Sequence, residues 1–224
     1  MIYAYYETYL DDAMNNLGDM FDYAVNDCGY DLQDFYDCFI VSGVAESFGC
    51  GNPKYVAGLS GIELALEVIY RTLGSRCEIP SSKIFDKSPE YWVGWALAYY
   101  QWYRNLSFFN MEKYGITMER MLSLYPTLHE ADITKFVSVA DYILKENVSN
   151  SISNLQLIRK ANNITQKKLA EKSEVSLRMI QLYEQRERDI NKAQVASLVN
   201  MAHALHCKIE DLLEINVSAF TPLF

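Results

Sequence analysis

The sequence predicts an all-α protein with a larger N-terminal helical domain followed by a smaller group of short helices. Three observations lead to this fold class. Large apolar residues recur at intervals of three or four along most of the 224 residues, which is helical spacing. Capping residues and glycines divide the chain into short segments. Little of the sequence shows the alternation of apolar and polar residues that is typical of a half-buried strand. Half of the residues are hydrophobic and 22% are charged, so a disordered chain is excluded.

Turn and capping signals divide the first 74 residues into three predicted helices. An apolar stripe over residues 6–25 predicts the first helix. Asp31 is expected to cap the second, which should end near the loop at 49–53. Ser60, with a glutamate three residues later, forms a capping box before the apolar segment 62–73.

The next helix is rich in aromatic residues. Residues 88–90, Ser-Pro-Glu, combine a capping hydroxyl, a proline at the first helical position and an early carboxylate. Tyrosines and tryptophans then cover more than one face of the helix predicted over 88–105. We expect this helix to be largely buried in the core. The alternative is that its aromatic rings line a pocket for a cation or a flat ligand.

Two further helices are predicted before the chain becomes polar. Residues 117–125 predict a short helix that stops before Pro126. Thr127 and Glu130 have the spacing of another capping box, which should begin the following helix. The apolar pattern breaks at residues 147–151, which are mostly small and polar. We predict a linker there.

The linker divides the chain into two predicted domains with different charges. The N-terminal domain covers 1–146, the C-terminal domain covers 152–216, and 217–224 form a tail. Residues 1–150 carry a net charge of -11, whereas residues 151–224 carry +2. Ten acidic residues precede Lys54, the first basic residue. The N-terminal domain should therefore repel DNA, and its acidic start is interpreted as a solvated surface or as a docking face for a basic partner.

Residues 155–214 predict five short helices around one core. The predicted bounds are 155–161, 166–172, 177–185, 191–205 with Asn191 as the cap, and 209–214. Thr165 and Ser176 are expected to cap the second and third helices. About sixty residues suffice for five such helices to share one apolar core.

Several anchors in this segment resemble one known family. They are Ile164-Thr165-Gln166 before Leu169-Ala170, then Val175-Ser176, Ile180, Tyr183-Glu184, Leu205-His206-Cys207 and Ile209-Glu210-Asp211-Leu212-Leu213. In this order the anchors resemble the Xre-type, lambda-repressor-like helix-turn-helix domain. The resemblance implies a five-helix domain that binds double-stranded operator DNA.

The resemblance makes residues 177–185 the recognition helix. Ser176, Leu177, Arg178 and Gln181 would then face the major groove. Arg178 can donate two hydrogen bonds to guanine and Gln181 can pair with adenine. Leu177 can contact a thymine methyl group.

Five further polar residues are predicted to contact phosphates. Gln166 would lie against a phosphate with the free N–H groups of the second helix. The other expected phosphate partners are Lys167, Arg186, Arg188 and Lys192. A charge of +2 neutralises few phosphates, so one copy should bind weakly. We therefore expect a homodimer on half-sites about 34 Å apart.

The sequence departs from the family pattern at the connection between the third and fourth helices. Family members often carry glycine two residues after the glutamate that ends the third helix, and proline before the fourth. Arg186 and Ile190 occupy these positions here. The connecting turn is expected to have a different shape.

No metal, cofactor or catalytic arrangement is predicted. His203 and Cys207 are four residues apart on a helix, but no fourth metal ligand lies nearby in the sequence. With only His129 and His206 besides, the chain lacks a credible nucleophile-histidine arrangement, and it has no phosphate-binding glycine loop. We therefore do not expect an enzyme.

The expected compartment is the cytoplasm. The first residues lack the features of a signal peptide, and no run of 18 uncharged apolar residues occurs, so no membrane association is expected. The cysteines are odd in number and lack C-x-x-C spacing, as is typical of reduced thiols: Cys28, Cys38, Cys50, Cys77 and Cys207.

The leading functional hypothesis is a sequence-specific transcriptional repressor whose N-terminal domain senses a small ligand or forms the dimer. The second hypothesis is an antitoxin, a role that proteins resembling this domain also have. Its acidic N-terminal domain would bind a protein toxin, and the C-terminal domain would repress the shared operon. An enzyme in the N-terminal half is a third hypothesis without a supporting motif.

Overall fold

The computed structural model describes residues 3–74, 87–215, 217 and 220, and the chain divides into two units. The N-terminal unit comprises residues 1–147 with 220–224, and the C-terminal unit comprises 148–219. All regular structure in these ranges is helical, which confirms the all-α prediction. None of the helices described is both long and apolar enough to cross a bilayer. Cys77 and most of the predicted tail lie outside the described residues.

The helices of the N-terminal unit follow the predicted caps closely. Asp31, Ser60 and Ser88 each accept hydrogen bonds from backbone N–H groups at the start of a helix. The helices are α1 (Leu10–Asp22), α2 (Leu32–Val41), α3 (Val44–Gly49), α4 (Gly61–Leu73), α5 (Pro89–Arg104), α6 (Phe108–Lys113), α7 (Met118–Leu128) and α8 (Ile133–Asn150). The last three residues of α8 belong to the C-terminal unit. Gly43, with φ of 73°, ends α2 earlier than predicted and separates it from α3, because this left-handed backbone conformation favours glycine.

Helix α5 is the buried aromatic helix that the sequence predicted. Twelve of its sixteen residues are buried, which confirms that it belongs to the core. Trp92 packs edge-on against Tyr125 and Phe136, and Tyr100 contacts Phe136 in the same way. Edge-to-face packing of this kind is favourable for aromatic rings. These contacts fasten α5 to α7 and α8.

Two glycines allow α5 to lie unusually close to α1. A Cβ atom at Gly94 would lie 2.3 Å from the carbonyl oxygen of Leu17. A Cβ atom at Gly18 would lie 2.7 Å from the ring of Tyr91. Backbone atoms cannot give way as a flexible side chain does, so the approach at Gly94 requires a residue without a side chain.

A buried ion pair joins α5 to α8 inside the N-terminal unit. The guanidinium of Arg104 donates two hydrogen bonds to the carboxylate of Asp141, one of them at 2.9 Å from Nε. The Tyr100 hydroxyl donates to the same carboxylate at 2.9 Å. Burial, followed by the charge of Asp141, raises the pKa of Tyr100 well above its usual value. The phenol therefore stays protonated and acts as a donor.

The chain between α7 and α8 differs from the prediction. Helix α7 does not stop before Pro126, because His129 N still donates to the carbonyl of Tyr125 and closes a last turn. The capping box predicted at Thr127 is wrong, since Thr127 lies inside α7. Asp132 caps the next helix instead, accepting a hydrogen bond from Thr134 N at 2.9 Å.

Residues 147–150, predicted to belong to the linker, form the last part of α8. The side-chain amide of Asn147 donates to the carbonyl of Ile143 at 2.9 Å, and Val148 is buried. Polar residues are compatible with a helix when their side chains bond to the preceding turn. The chain leaves the helix at Ser151.

The C-terminal unit contains five α-helices in its described residues. They are α9 (Asn154–Ala161), α10 (Gln166–Ser173), α11 (Leu177–Glu184), α12 (Val195–Leu205) and α13 (Ile209–Leu212). Their apolar faces meet in one core formed by Leu155, Leu169, Val175, Ile180, Tyr183, Ile190, Leu198, Met201, Ala202, Leu205 and Leu212. The predicted sharing of one core by short helices is confirmed.

Candidate nucleic-acid interface

Helices α10 and α11 form a helix-turn-helix. Glu174 adopts a left-handed conformation with φ of 56° and ends α10. Val175 is buried and holds the turn against the core. Ser176 begins α11, and its hydroxyl accepts a hydrogen bond from Met179 N at 3.3 Å.

Helix α11 has one buried and one exposed face. Ile180 and Tyr183 are buried, whereas Leu177 and Arg178 are exposed and Gln181 is half-buried. Positions three and four residues apart share a face of a helix, so Leu177 and Arg178 lie on the same side as Gln181. Ser176, directly before them, is also exposed. The structure thus brings together the four residues predicted to face DNA bases.

A buried ion pair fixes the inner face of α11. Arg159 on α9 donates to both carboxylate oxygens of Glu184, at 2.5 Å and 3.0 Å. A third hydrogen bond runs from Arg159 to the carbonyl of Ile164 at 2.8 Å. The hydrogen bond that Arg159 donates to Glu184 raises the pKa of Arg159 above its usual value. This bidentate contact sets the orientation of α11 relative to α9.

Gln166, the first residue of α10, joins this network. Its side-chain amide donates to the second oxygen of Glu184 at 2.8 Å. Gln166 is therefore held beside the free N–H groups at the start of α10, where an anion can bind. Arg159 has no role predicted from the sequence, and Glu184 is predicted only as a family anchor. The sequence feature that could have indicated this pair is a charged residue among the apolar residues of each of these two helices.

Three of the predicted phosphate partners lie on the surface. Lys167, Arg188 and Lys192 are exposed. Lys192 forms a solvent-exposed ion pair with Asp189 at 3.5 Å, which is weak enough to exchange for a phosphate. Arg188 lies beside α11, with its guanidinium 3.7 Å from the sulfur of Met179.

Arg186 has a different environment from the one predicted. Its guanidinium donates to the carbonyl oxygens of Val148, Ser151 and Ile152 and to the carboxylate of Glu214. These acceptors belong to the protein, so the guanidinium is not available to a phosphate. Arg186 is therefore an internal contact of the C-terminal unit and not a candidate phosphate contact.

The connection from α11 to α12 also differs from the prediction. Asp189 caps a short 3₁₀ turn, Ile190–Lys192, and α12 begins only at Val195, so Asn191 does not cap it. The backbone of Ala193 is extended, which interrupts the helix. Asn191 instead exchanges two hydrogen bonds with the backbone of Glu214, at 2.7 Å and 2.9 Å.

The residues considered as metal ligands do not form a cluster. Within the described ranges, no group of three or more His, Cys, Asp or Glu side chains is placed to hold a metal ion. His203 is exposed. Burial, followed by the charge of Asp211, raises the pKa of the Cys207 thiol above its usual value, which keeps it protonated and a poor ligand.

Comparison with protein families agrees with this geometry. A family model described as helix-turn-helix matches residues 155–212, and no family model matches the N-terminal part. Residues 155–212 therefore form a helix-turn-helix DNA-binding domain, and it is of the Xre, lambda-repressor-like type. The chain carries the DNA-binding domain of an Xre-type regulator, not a catalytic domain, in this segment. Searches of curated proteins and of solved structures gave no match.

Proposed function

We propose that the chain is a transcriptional repressor that binds operator DNA as a homodimer. The observation that carries this proposal is the two-sided environment of α11. Its inner face is locked by the buried Arg159–Glu184 pair, whereas its outer face presents Leu177, Arg178 and Gln181. A rigid helix with free polar side chains suits recognition in the major groove.

The proposed base contacts follow from the donor groups on the outer face. Arg178 donates two parallel hydrogen bonds to guanine, and Gln181 donates to and accepts from adenine. Leu177, with 39% of its surface exposed, contacts a thymine methyl group. Ser176 adds a hydroxyl at the start of the helix.

The proposed phosphate contacts surround this helix. Gln166 and the free N–H groups at the start of α10 bind one phosphate. Lys167, Arg188 and Lys192 bind others as exposed cations. These contacts hold the helix in register but carry no sequence information.

The proposed homodimer forms through the N-terminal unit. Its sequence is strongly acidic, so its stabilising contacts are with protein or a small ligand and not with DNA. Several large hydrophobic side chains of this unit are exposed: Tyr3, Tyr6, Val41, Tyr70, Leu73, Phe109 and Tyr142. Joining two DNA-binding domains raises affinity by about 10² to 10⁴ without a new DNA contact.

The DNA-binding part of the proposal is tested by selecting duplexes from a random library with the full chain. The selected duplex and the protein's own promoter are then footprinted. We expect two half-sites with centres about 34 Å apart. The double variant Arg178→Ala/Gln181→Ala should lose the footprint, whereas Lys208→Ala, which removes an exposed cation at the start of α13, should keep it. A selection that yields no preferred sequence would contradict the proposal.

The dimer is tested separately by analytical ultracentrifugation of the full chain without DNA. We expect a dimer at tens of micromolar. Inserting five base pairs between the half-sites rotates them by about half a helical turn and should weaken binding strongly. If the chain is a monomer and binds the operators with and without the insertion equally well, the homodimer is contradicted. The protein would then be a monomeric DNA-binding protein.

A second candidate function is supported by the acidic residues of the N-terminal unit. Asp11, Asp12, Asp34 and Asp37 are exposed, and none has a cationic partner within the residues described. Exposed carboxylates of this kind suit contact with a basic protein, as the antitoxin hypothesis requires. Growth arrest by a small neighbouring reading frame, relieved by this chain but not by its Asp34→Lys/Asp37→Lys variant, would favour the antitoxin. That variant should still bind DNA.

A further inference from the structure

Arg186 occupies a backbone position that glycine usually fills. It follows the recognition helix directly after Gln185, and its φ is 55°. This left-handed conformation is unfavourable for residues with a side chain. The turn is nevertheless closed by backbone hydrogen bonds from Arg186 N to Tyr183 O and from Arg188 N to Leu182 O. A compensating interaction is therefore expected at the Arg186 side chain.

The guanidinium supplies that interaction within the C-terminal unit. It donates to Val148 O at 2.7 Å, to Ser151 O, to Ile152 O at 3.2 Å and to Glu214 Oε2 at 3.0 Å. The Glu214 carboxylate, with an 11% exposed side chain, also accepts from Asn154 N at 2.5 Å. Segment 148–152, through which the chain enters the unit, is thus bound directly to the turn that ends the recognition helix.

We infer that Arg186 is a positioning residue for sequence recognition. It fastens the end of α11 to segment 148–152 and so sets the angle at which Arg178 and Gln181 meet the bases. The inference rests on the proposed function as a sequence-specific DNA-binding protein. A consequence is that any displacement of segment 148–152 changes the position of α11.

Two other roles for Arg186 make different predictions, which allows a clear test. A residue that neutralises a phosphate would contribute to binding on every duplex, and its removal would reduce the salt slope by about 0.9. A purely stabilising role would lower the melting temperature without changing the affinity of the folded protein. A positioning residue affects the selected operator far more than a random duplex and leaves the salt slope unchanged.

The experiment measures binding of the full-length protein to the duplex selected from a random library and to a scrambled duplex of equal length. The variants are Arg186→Gly, which also relieves the strained backbone, and Arg186→Lys, which keeps the charge but cannot span several carbonyls. The affinity of both variants should fall about tenfold for the selected duplex and less than about twofold for the scrambled one. Lys167→Ala, at a proposed phosphate partner, should weaken binding to both duplexes and reduce the salt slope.

Circular dichroism at the assay temperature establishes that each variant is folded. If Arg186→Gly does not fold, Glu214→Gln takes its place, since it weakens the same clamp from the other side. Equal losses on both duplexes with a reduced slope, or unchanged affinities with a lower melting temperature, would overturn the inference. If the wild-type chain itself shows no sequence preference, the proposed function fails as well. If the wild-type chain prefers the selected duplex and the Arg186 variants show the same preference, only this inference fails and the proposed function stands.

Discussion

Replacing Glu184 by alanine should remove a large part of the stability of the C-terminal unit. The side chains of Arg159 and Glu184 are 11% and 2% exposed, and they share two hydrogen bonds. In Glu184→Ala the guanidinium keeps the carbonyl of Ile164 as its remaining described acceptor. Leaving one member of a buried ion pair uncompensated costs about 3–5 kcal/mol. A unit of this size has a stability on the order of 4–10 kcal/mol, so the variant should be marginally folded.

The two units can be monitored separately because all three tryptophans lie on α5. Trp92, Trp95 and Trp102 belong to the N-terminal unit, so their fluorescence reports on that unit alone. Far-ultraviolet circular dichroism reports on the helices of both units. In urea-induced unfolding, Glu184→Ala should shift part of the transition seen by circular dichroism to a lower urea concentration. The transition seen by fluorescence should not change.

Two further variants test the cause of the effect. The double variant Arg159→Met/Glu184→Leu replaces the pair by apolar side chains and should recover most of the lost stability. Glu187→Ala removes an exposed glutamate three residues further on and should have an effect within about 0.5 kcal/mol. A loss below about 1 kcal/mol for Glu184→Ala, or a double variant no more stable than it, would refute this reasoning.

Three other predictions follow from the same contacts. Arg178→Ala and Gln181→Ala should each cost about 1–3 kcal/mol of binding to the operator, measured by titration, with nearly unchanged binding to random duplex; equal losses on both would contradict the base contacts. Asp141→Leu removes the carboxylate that accepts two hydrogen bonds from the buried guanidinium of Arg104 and should lower the fluorescence-detected urea midpoint by the equivalent of about 3–5 kcal/mol; a shift seen only by circular dichroism would be inconsistent with this. Gly94→Ala places a Cβ atom 2.3 Å from a carbonyl oxygen of α1 and should cost about 1–3 kcal/mol in the same assay. Alanine has a higher helix propensity than glycine, so a higher urea midpoint for Gly94→Ala would show that α1 can move away from the added Cβ atom.

Local features of the sequence predicted most helix starts correctly. Asp31, Ser60 and Ser88 cap helices because the interaction of a side chain with the next few N–H groups needs no distant partner. Predictions failed where two local signals competed. Thr127 has capping-box spacing to Glu130, but the turn containing it continues α7, and Asp132 caps the following helix.

The helix-turn-helix was also predictable, since its anchors lie within one continuous segment. Positions three and four residues apart share a helix face, so burial of Ile180 and Tyr183 leaves Arg178 on the opposite, exposed side of α11. Leu177 is three residues before Ile180, and its exposure was not predictable from this spacing. The sequence by itself thus determined the fold class, the DNA-binding domain and the outer face of its recognition helix.

Only the tertiary structure decided which charged residues are surface contacts and which are internal. Arg186 and Arg188 are both predicted from the sequence to contact phosphates, yet Arg186 binds carbonyls of residues 148–152 and Arg188 is exposed. Arg159 and Glu184, 25 positions apart, become one buried pair. The physical reason is that the environment of a long charged side chain is set by distant segments that fold against it, and no local spacing encodes them.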